Sequence, residues 1–139
     1  ILSREGQEIV ADGYVKVDQE AAAFAGGNVS GKVVASGSSS VAPIMEKLIE
    51  GYQKVNAGVS IELQTSDSTS GMQGTIDSIC DIGMASRDLT ADENAALKGA
   101  EIALDGIVVI INNSNPVDDL TKEQVKQIFT GEIADWDDL

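Results

Sequence analysis

The stretch VVASGSSSVAPIMEKL, from Val33 to Leu48, runs from β-branched residues through three consecutive serines into an amphipathic segment. The paired valines are typical of a β-strand. A helix is predicted over Ala42–Val55, because apolar residues recur there at a spacing of four, at Ile44, Leu48 and Tyr52. A strand that turns directly into a helix is the first half of a βαβ unit, so this stretch favours an α/β fold.

The same alternation continues on both sides of that stretch. The sequence predicts strands over Tyr14–Val17, Lys32–Ser36, Val59–Thr65, Asp81–Ser86 and Glu101–Asn113, and helices over Ile1–Ala11, Ser70–Cys80, Leu89–Gly99 and Thr121–Gly131. Thr90 followed by Glu93 forms a capping-box pattern, and Thr121 with Gly131 marks the start and stop of the last helix. We therefore expect a three-layer α/β sandwich built on a mostly parallel sheet.

Composition excludes several classes of protein. Nine basic residues face 23 acidic ones in a chain of 139 residues, a net charge of −14, which argues against binding to nucleic acid or to anionic membranes. There is no histidine, so a Ser-His-Asp or Cys-His catalytic centre is excluded. The single cysteine, Cys80, allows no internal disulfide and no cysteine zinc cluster, and its neighbours predict a buried position. No cofactor and no metal are expected.

Three loops rich in hydroxyl groups follow the predicted strands, and they read SGSSSVAP, TSDSTSG and ASRDL. Ligands of open α/β sheets bind outside the carboxyl ends of the strands, where these loops are expected to meet. A helix N-terminus presents free N–H groups and partial positive charge, to which serine hydroxyls add donors. Each loop taken alone is explained as well by helix capping. The three together predict a site for a small oxyanion.

Four motifs occur in the order GSSSVAP, DIGMASR, DGIVVIINN and IFTGEIADW. With the sequence around them they resemble the phosphate-binding proteins of bacterial phosphate ABC transporters, over residues 32–139. The resemblance implies one lobe of the type II periplasmic-binding-protein fold, with phosphate as ligand and an ABC permease as partner. It also implies an extracytoplasmic location, periplasmic or lipid-anchored, and a binding role rather than an enzymatic one.

The resemblance suggests an unusual order of segments. Residues 1–17 resemble the C-terminal helix and strand of that family, residues 18–31 have the composition of a linker, and residues 32–139 resemble its N-terminal segment. We therefore expect a single lobe, circularly permuted and without the second lobe, since domain termini often lie close together. The alternative is a processed or engineered chain whose junction lies elsewhere. Either order places the same residues in one lobe.

The resemblance also implies the ligand residues. Phosphate would be bound by Ser39 and Ser40 before the first helix of the βαβ unit, and further by Ser68, Thr69, Ser70, Ser86 and Arg87. Ser86 stands where some members of the family carry an acidic residue that accepts a proton of phosphate, so Asp67 and Asp88 become candidates for that role. For Arg87, two partners stay open, the phosphate or a local carboxylate.

The remaining ligand groups of that family belong to the second lobe. Losing several charge-assisted hydrogen bonds would weaken binding by about three to four decades, so millimolar affinity or worse is expected. Three other functions are considered: a receptor for molybdate or sulfate, a phosphate-handling enzyme, and a scaffold lobe without ligand function. A lobe freed of its partner also exposes the surface of the former cleft, through which a homodimer could form.

Overall fold

The computed structural model describes residues 1–139, which divide into two compact units, residues 1–106 and residues 107–139. None of its helices is both long enough and apolar enough to cross a membrane. In chain order the elements are α1 (Arg4–Val10), β1 (Gly31–Ser38), α2 (Ala42–Val55), β2 (Val59–Ser66), α3 (Ser68–Ile76), β3 (Ile82–Met84), α4 (Ala91–Ala96), α5 (Lys122–Thr130) and a 3-10 turn (Trp136–Asp138).

The sheet lies in the first unit and is entirely parallel. Its strand order is β2-β1-β3, with β1 in the centre. Strand β1 pairs with β2 along its whole length, from Gly31 opposite Val59 to Ser38 opposite Ser66. It pairs with β3 only near its carboxyl end, where Ala35 lies opposite Ile82. The predicted parallel α/β fold is confirmed.

Helices α2 and α3 cover opposite faces of this sheet. The crossover from β1 to β2 and the crossover from β2 to β3 run in opposite directions, so two right-handed connections place their helices on opposite sides. Close packing agrees with this, because a Cβ atom on Gly83 would lie 2.5 Å from the Cε of Met72 in α3. On the other face, Ala35 and Leu48 of α2 line one hollow. The expected three-layer arrangement is therefore present.

The core of the first unit joins α1 to α2. Val10, Ile44 and Leu48 form its buried cluster, and the burial of each such aliphatic side chain contributes about 1.5–3 kcal/mol to stability. Gln7 is buried beside it and uses both ends of its amide. Its Nε2 donates to the carbonyl of Ile102 at 3.0 Å, and its Oε1 accepts from the N–H of Val17 at 2.9 Å. This single side chain thus ties α1 to two irregular segments.

The helix termini follow the capping chemistry of the sequence. Thr90 and Glu93 form a complete capping box at α4, and Thr121 does the same with Gln124 at α5. Gly131 ends α5 with φ of 79°, a left-handed conformation that glycine adopts without strain. Helix α4 stops at Ala96, earlier than the predicted Gly99, and α3 spans Ser68–Ile76 instead of Ser70–Cys80.

Two predicted strands are absent. Tyr14–Val17 contributes only one antiparallel bridge, in which Val15 and Leu104 exchange N–H···O bonds of 2.9 Å. The prediction of a strand over Glu101–Asn113 is also wrong, because this segment has that bridge alone and is otherwise irregular. Apolar β-branched residues become a strand only when a neighbour satisfies their backbone groups, and neither segment has more than this bridge.

Candidate functional site

The loops rich in hydroxyl groups converge at the carboxyl edge of the sheet. All three strands of the order β2-β1-β3 are parallel, so their carboxyl ends lie at one edge, which is where open α/β sheets bind ligands. Strand β1 ends at Ser38, β2 ends at Ser66 and β3 ends at Met84. The three predicted loops therefore start at one edge, as the sequence indicates.

Three serine hydroxyls lie within hydrogen-bond distance at this edge. The Oγ of Ser38 donates to the Oγ of Ser86 at 3.1 Å, and the Oγ of Ser68 lies 3.4 Å from the same atom. The N–H of Ser86 donates to the Oγ of Ser68 at 3.2 Å. We call Ser38, Ser68 and Ser86 the hydroxyl cluster. Because a hydroxyl both donates and accepts, the cluster can turn its protons toward an incoming oxyanion.

Ser38 is the member of this cluster that sequence reasoning missed. It is the last residue of β1 and only 3% exposed, whereas the prediction named the two serines after it. The signal was available, because the last residue of a central strand at such an edge is the natural place for a ligand-facing side chain. Ser39 and Ser40 instead form the exposed turn that leads into α2.

The N-terminus of α2 reaches the same edge without a side-chain cap. The side chain of its N-cap residue, Val41, accepts no hydrogen bond from the helix, and the first turn contains no acidic residue. Pro43 lies in that turn and has no N–H to donate. The partial positive charge of this 14-residue helix is therefore not neutralised by the protein itself. The hydroxyl cluster and an uncapped helix end lie next to each other along the chain.

Helix α3 begins differently, because Asp67 caps it. The N–H of Ser70 donates to Oδ1 of Asp67 at 2.9 Å, and the Oγ of Ser70 donates to Oδ2 at 2.6 Å. These two bonds, the hydroxyl bond first, lower the pKa of Asp67. Ser70, predicted as a ligand residue, is thus engaged with a carboxylate. Asp67 itself is ionised at neutral pH and can only accept hydrogen bonds.

Arg87 is paired with a carboxylate. Its Nη1 and Nη2 donate to the two carboxylate oxygens of Glu93 at 2.8 and 2.9 Å, a bidentate ion pair. Nη2 also donates to the Oγ1 of Thr69 at 3.3 Å, and Nη1 donates to the carbonyl of Asp88 at 2.9 Å. The Arg87 bond, and then the N–H of Thr90, lower the pKa of Glu93 to about 2. Of the two partners left open for Arg87, the structure contains the local carboxylate.

The predicted site residues therefore fall into three groups. Ser68 and Ser86 meet in the hydroxyl cluster, Ser39 and Ser40 lie beside the end of α2, and Thr69, Ser70 and Arg87 are held by protein partners. Of the two candidate proton acceptors, Asp67 lies at this edge as a cap, and Asp88 contributes its carbonyl to Arg87. That any of them binds a ligand stays a prediction.

A second concave surface lies away from this edge. It is a hollow of about 400 Å³ between the sheet and α2, lined mainly by aliphatic side chains that include Val33, Ile49 and Ile61. Such a lining provides almost no hydrogen-bond donors, so it cannot replace the hydration shell of an oxyanion. No group of three or more histidine, cysteine or acidic side chains is placed to hold a metal ion. The carboxyl edge is therefore the candidate site.

Comparison with known proteins gives a consistent family. A family model described as a PBP superfamily domain matches residues 22–139. Among curated proteins, the phosphate-binding protein PstS 2 of Streptococcus agalactiae is 50% identical over 141 residues, covering all of this chain and 48% of its own length. PstS 2 of Streptococcus pneumoniae is 36% identical over 140 residues, with the same coverage. The chain thus spans about half the length of these curated relatives.

Solved structures agree with the sequence relatives. A phosphate-binding protein of a phosphate ABC transporter from Streptococcus pneumoniae superimposes with a TM-score of 0.91 at 36% identity, over 99% of this chain and 54% of that one. A substrate-binding protein assigned to a phosphate ABC transporter of Clostridium perfringens, solved with bound phosphate, has a TM-score of 0.65 at 44% identity, over 78% of this chain and 45% of that one.

The alignments also bear on the order of segments. The streptococcal matches cover the whole of this chain in single alignments, residues 1–17 included. A single alignment follows both sequences in the same order, so these relatives carry a corresponding segment ahead of the sheet. They therefore give no support to a circular permutation. The assignments of residues 1–17 to the family's C-terminal helix and strand, of residues 18–31 as a linker and of residues 32–139 as its N-terminal segment stay predictions.

Proposed function

The chain belongs to the PBP superfamily, and we propose that its carboxyl edge binds inorganic phosphate as part of the substrate-binding component of a phosphate ABC importer. The observation that carries the proposal is the hydroxyl cluster of Ser38, Ser68 and Ser86 beside the uncapped N-terminus of α2. Neutral O–H and N–H donors recognise an oxyanion by contact, without a lysine. The names of the relatives and the phosphate bound in one solved neighbour point to the same ligand.

Short-range donors also explain how an acidic chain can bind an anion. The net charge is −14, but repulsion between exposed charges is screened beyond about 8 Å at physiological salt. Hydrogen bonds at the edge act at contact distance and are not screened in this way. Asp67 is the group that would accept a hydrogen bond from the O–H of hydrogenphosphate, because its carboxylate is ionised at neutral pH. Sulfate carries no proton at that pH and would be repelled by the same carboxylate.

The rest of the functional assignment follows from the relatives. We propose a binding role without catalysis, an extracytoplasmic location and an ABC permease as the partner of the longer protein. Because the chain spans 48% of the length of its streptococcal relatives, these 139 residues are proposed to form one wall of the phosphate site. For the chain alone we expect millimolar affinity or weaker, and its exposed apolar surface favours homodimer formation.

A second oxyanion is the competing candidate. Ser86 takes the place of an acidic residue in the resemblance, and a serine hydroxyl tolerates a fully deprotonated anion as well as a protonated one. This favours sulfate or molybdate if Asp67 does not reach the ligand. A scaffold lobe without ligand function is the other alternative, and it predicts no selective binding at all.

The test is a titration of the ¹⁵N-labelled 139-residue chain with phosphate, sulfate and molybdate at constant ionic strength. We expect saturable, phosphate-selective binding at millimolar concentration. Ser86→Ala is expected to weaken it by at least about tenfold, since a hydrogen bond to a charged group contributes about 1.5–3 kcal/mol. Ser60→Ala makes the same chemical change at an exposed position near the amino end of β2 and is expected to change nothing.

Each alternative has its own outcome in that titration. Equal affinity for phosphate and sulfate would reject phosphate selectivity and leave a general oxyanion site. Saturation at micromolar phosphate would contradict the proposal that the chain forms only one wall of the site. No binding of any oxyanion by a folded chain would leave the scaffold function.

A further inference from the structure

The guanidinium of Arg87 has almost no free donor. An arginine carries five N–H donors. Two of them reach the carboxylate oxygens of Glu93, a third reaches the carbonyl of Asp88 and a fourth reaches the Oγ1 of Thr69. Only the Nε–H is left without a protein partner. Bidentate recognition of an oxyanion needs two parallel N–H donors on one guanidinium. Both Nη1 and Nη2 of Arg87 already donate to protein groups, so no such pair is free.

Glu93 is equally committed. Its side chain is 11% exposed, and its carboxylate accepts the N–H of Thr90 at 2.8 Å in addition to both bonds from Arg87. The ion pair cancels the charge of the single cation in the three loops. The oxyanion edge therefore faces a neutral pair instead of a free positive charge.

Two hydrogen bonds connect the loop after β3 to the first turn of α3. The N–H of Ser86 donates to the Oγ of Ser68 at 3.2 Å. One residue further along both segments, the Nη2 of Arg87 donates to the Oγ1 of Thr69 at 3.3 Å. The two hydrogen bonds therefore join adjacent residues of the same two segments. The second bond thereby fixes the distance between two members of the hydroxyl cluster.

We propose that Arg87 is a positioning residue, held by Glu93, which sets the separation of Ser68 and Ser86 and does not contact the anion. The inference rests on the proposed function, since it concerns the same site. It assigns Glu93 a role beyond its capping box. It also replaces the expectation that Arg87 contributes charge to phosphate.

The sign of the effect of Glu93→Gln separates the two roles. If Arg87 positions the cluster, Glu93→Gln loosens the clamp and weakens phosphate binding by about three- to tenfold, the size expected for losing one ordinary hydrogen bond of about 1 kcal/mol. Arg87→Ala weakens it to a similar extent, and the double variant is no weaker than either. If Arg87 binds the anion, Glu93→Gln frees the guanidinium, removes a negative charge and strengthens binding. A stronger or unchanged affinity overturns the proposal.

Controls separate positioning from folding and from net charge. Glu62→Gln removes the same charge from an exposed pair with Lys32, whose charged groups lie 2.7 Å apart and which precede the carboxyl ends of their strands, and it is expected to leave phosphate affinity unchanged. Arg87→Lys keeps the charge but not the fork, so it is expected to weaken binding as Arg87→Ala does. Affinities are compared at a temperature at which every variant is fully folded. If Arg87→Lys keeps the phosphate affinity of the unmodified chain and Arg87→Ala does not, the charge of residue 87 is what matters, and this result would contradict positioning.

Two further measurements distinguish failure of this inference from failure of the proposed function. In the ligand-free chain, Glu93→Gln and Arg87→Ala are expected to speed hydrogen exchange of the Ser86 amide, and an unchanged rate overturns the clamp whether or not phosphate binds. With phosphate at saturation, the Nε–H resonance of Arg87 is expected to stay in place, and a large shift would make Arg87 a ligand. Absence of binding by the unmodified chain would instead reject the proposed function.

Discussion

Strand β1 contains two β-branched residues, Val33 and Val34, among its eight residues, whereas the run Ile107–Ile111 consists of β-branched residues throughout and is the more apolar of the two. Strand β1 has a hydrogen-bonded neighbour on each side. The 107–111 run has no strand partner, and four of its five side chains are exposed, with Ile107 99% exposed and Ile110 90% exposed. Strand propensity is thus higher in the unpaired run than in β1, and pairing rather than propensity decides which of them becomes a strand.

The order of elements along the chain explains why β1 is paired on both sides. It is followed by a helix and a strand, and then by a second helix and strand, so two right-handed crossovers return the chain to either side of it. The proposed phosphate site also depends on this position. Because β1 is central, its last residue, Ser38, lies between the other two strands, opposite Ser66 of β2 and bonded to Ser86 of the loop after β3.

The largest difference between the two regions is expected for deletion of an isoleucine side chain. Ile44 is 2% exposed in the core of the first unit, and Ile110 is 90% exposed in the 107–111 run. Ile44→Ala should lower the free energy of unfolding by about 2–5 kcal/mol, through lost burial and a cavity. Ile110→Ala should change it by less than about 0.5 kcal/mol. Urea unfolding followed by circular dichroism measures both, and equal losses would contradict the comparison.

Glycine-to-alanine substitutions compare a closely packed position, Gly71, with an open one, Gly106. A Cβ on Gly71 would lie 2.5 Å from the Cα of Gly37 and 2.8 Å from the carbonyl oxygen of Ser36, so α3 would be pushed off β1. Gly71→Ala is expected to destabilise the chain by about 1–3 kcal/mol, although alanine is the better helix former. Gly106 has nothing within 4 Å of such a Cβ atom, and Gly106→Ala is expected to be neutral. A stabilised Gly71→Ala chain would show that α3 does not pack as closely as described.

The smallest expected difference in stability concerns two ion pairs and its dependence on pH. The pKa of Glu93 lies near 2, below its ordinary 4.5, so its stabilising contribution is complete above pH 4.5 and is lost as the pH falls toward 2. We expect Glu93→Gln to be less stable than the unmodified chain at pH 7, with the difference shrinking across that acid range. Glu123→Gln breaks an exposed pair with Lys126, 3.2 Å apart in α5, and should have almost no effect at any pH. A constant deficit of Glu93→Gln down to pH 2 would contradict the assigned cause.

Local signals explain how much of the fold the sequence predicts. Periodicity and capping residues lie within one or two turns of each other, so α2 has its predicted bounds and the capping boxes form at Thr90 and Thr121. Pairing is a long-range property. The segment Glu101–Asn113 reads as a strand from its composition, and nothing within it reveals that only Leu104 is bridged.

The same distinction between local and long-range information applies to the candidate site. The rule that loops meet at the carboxyl edge predicts that Ser68 and Ser86 approach each other, and they do. It does not predict that Ser38 turns into the cluster, because that depends on the register at the end of β1. Nor does the sequence decide the partner of Arg87. Glu93 reads as a helix cap, and its second task appears only once α4 is placed next to the loop.

The central claim is that phosphate binds where paired strands end and not along the unpaired run. The most direct measurement is the map of backbone amide shifts at saturating phosphate, with sulfate at equal ionic strength as the reference. We predict phosphate-specific shifts at Ser39, Ser40, Ser68 and Ser86, and none from Ile107 to Ile111. Shifts spread along the 107–111 run, or an unmoved carboxyl edge in a chain that does bind phosphate, would contradict the account.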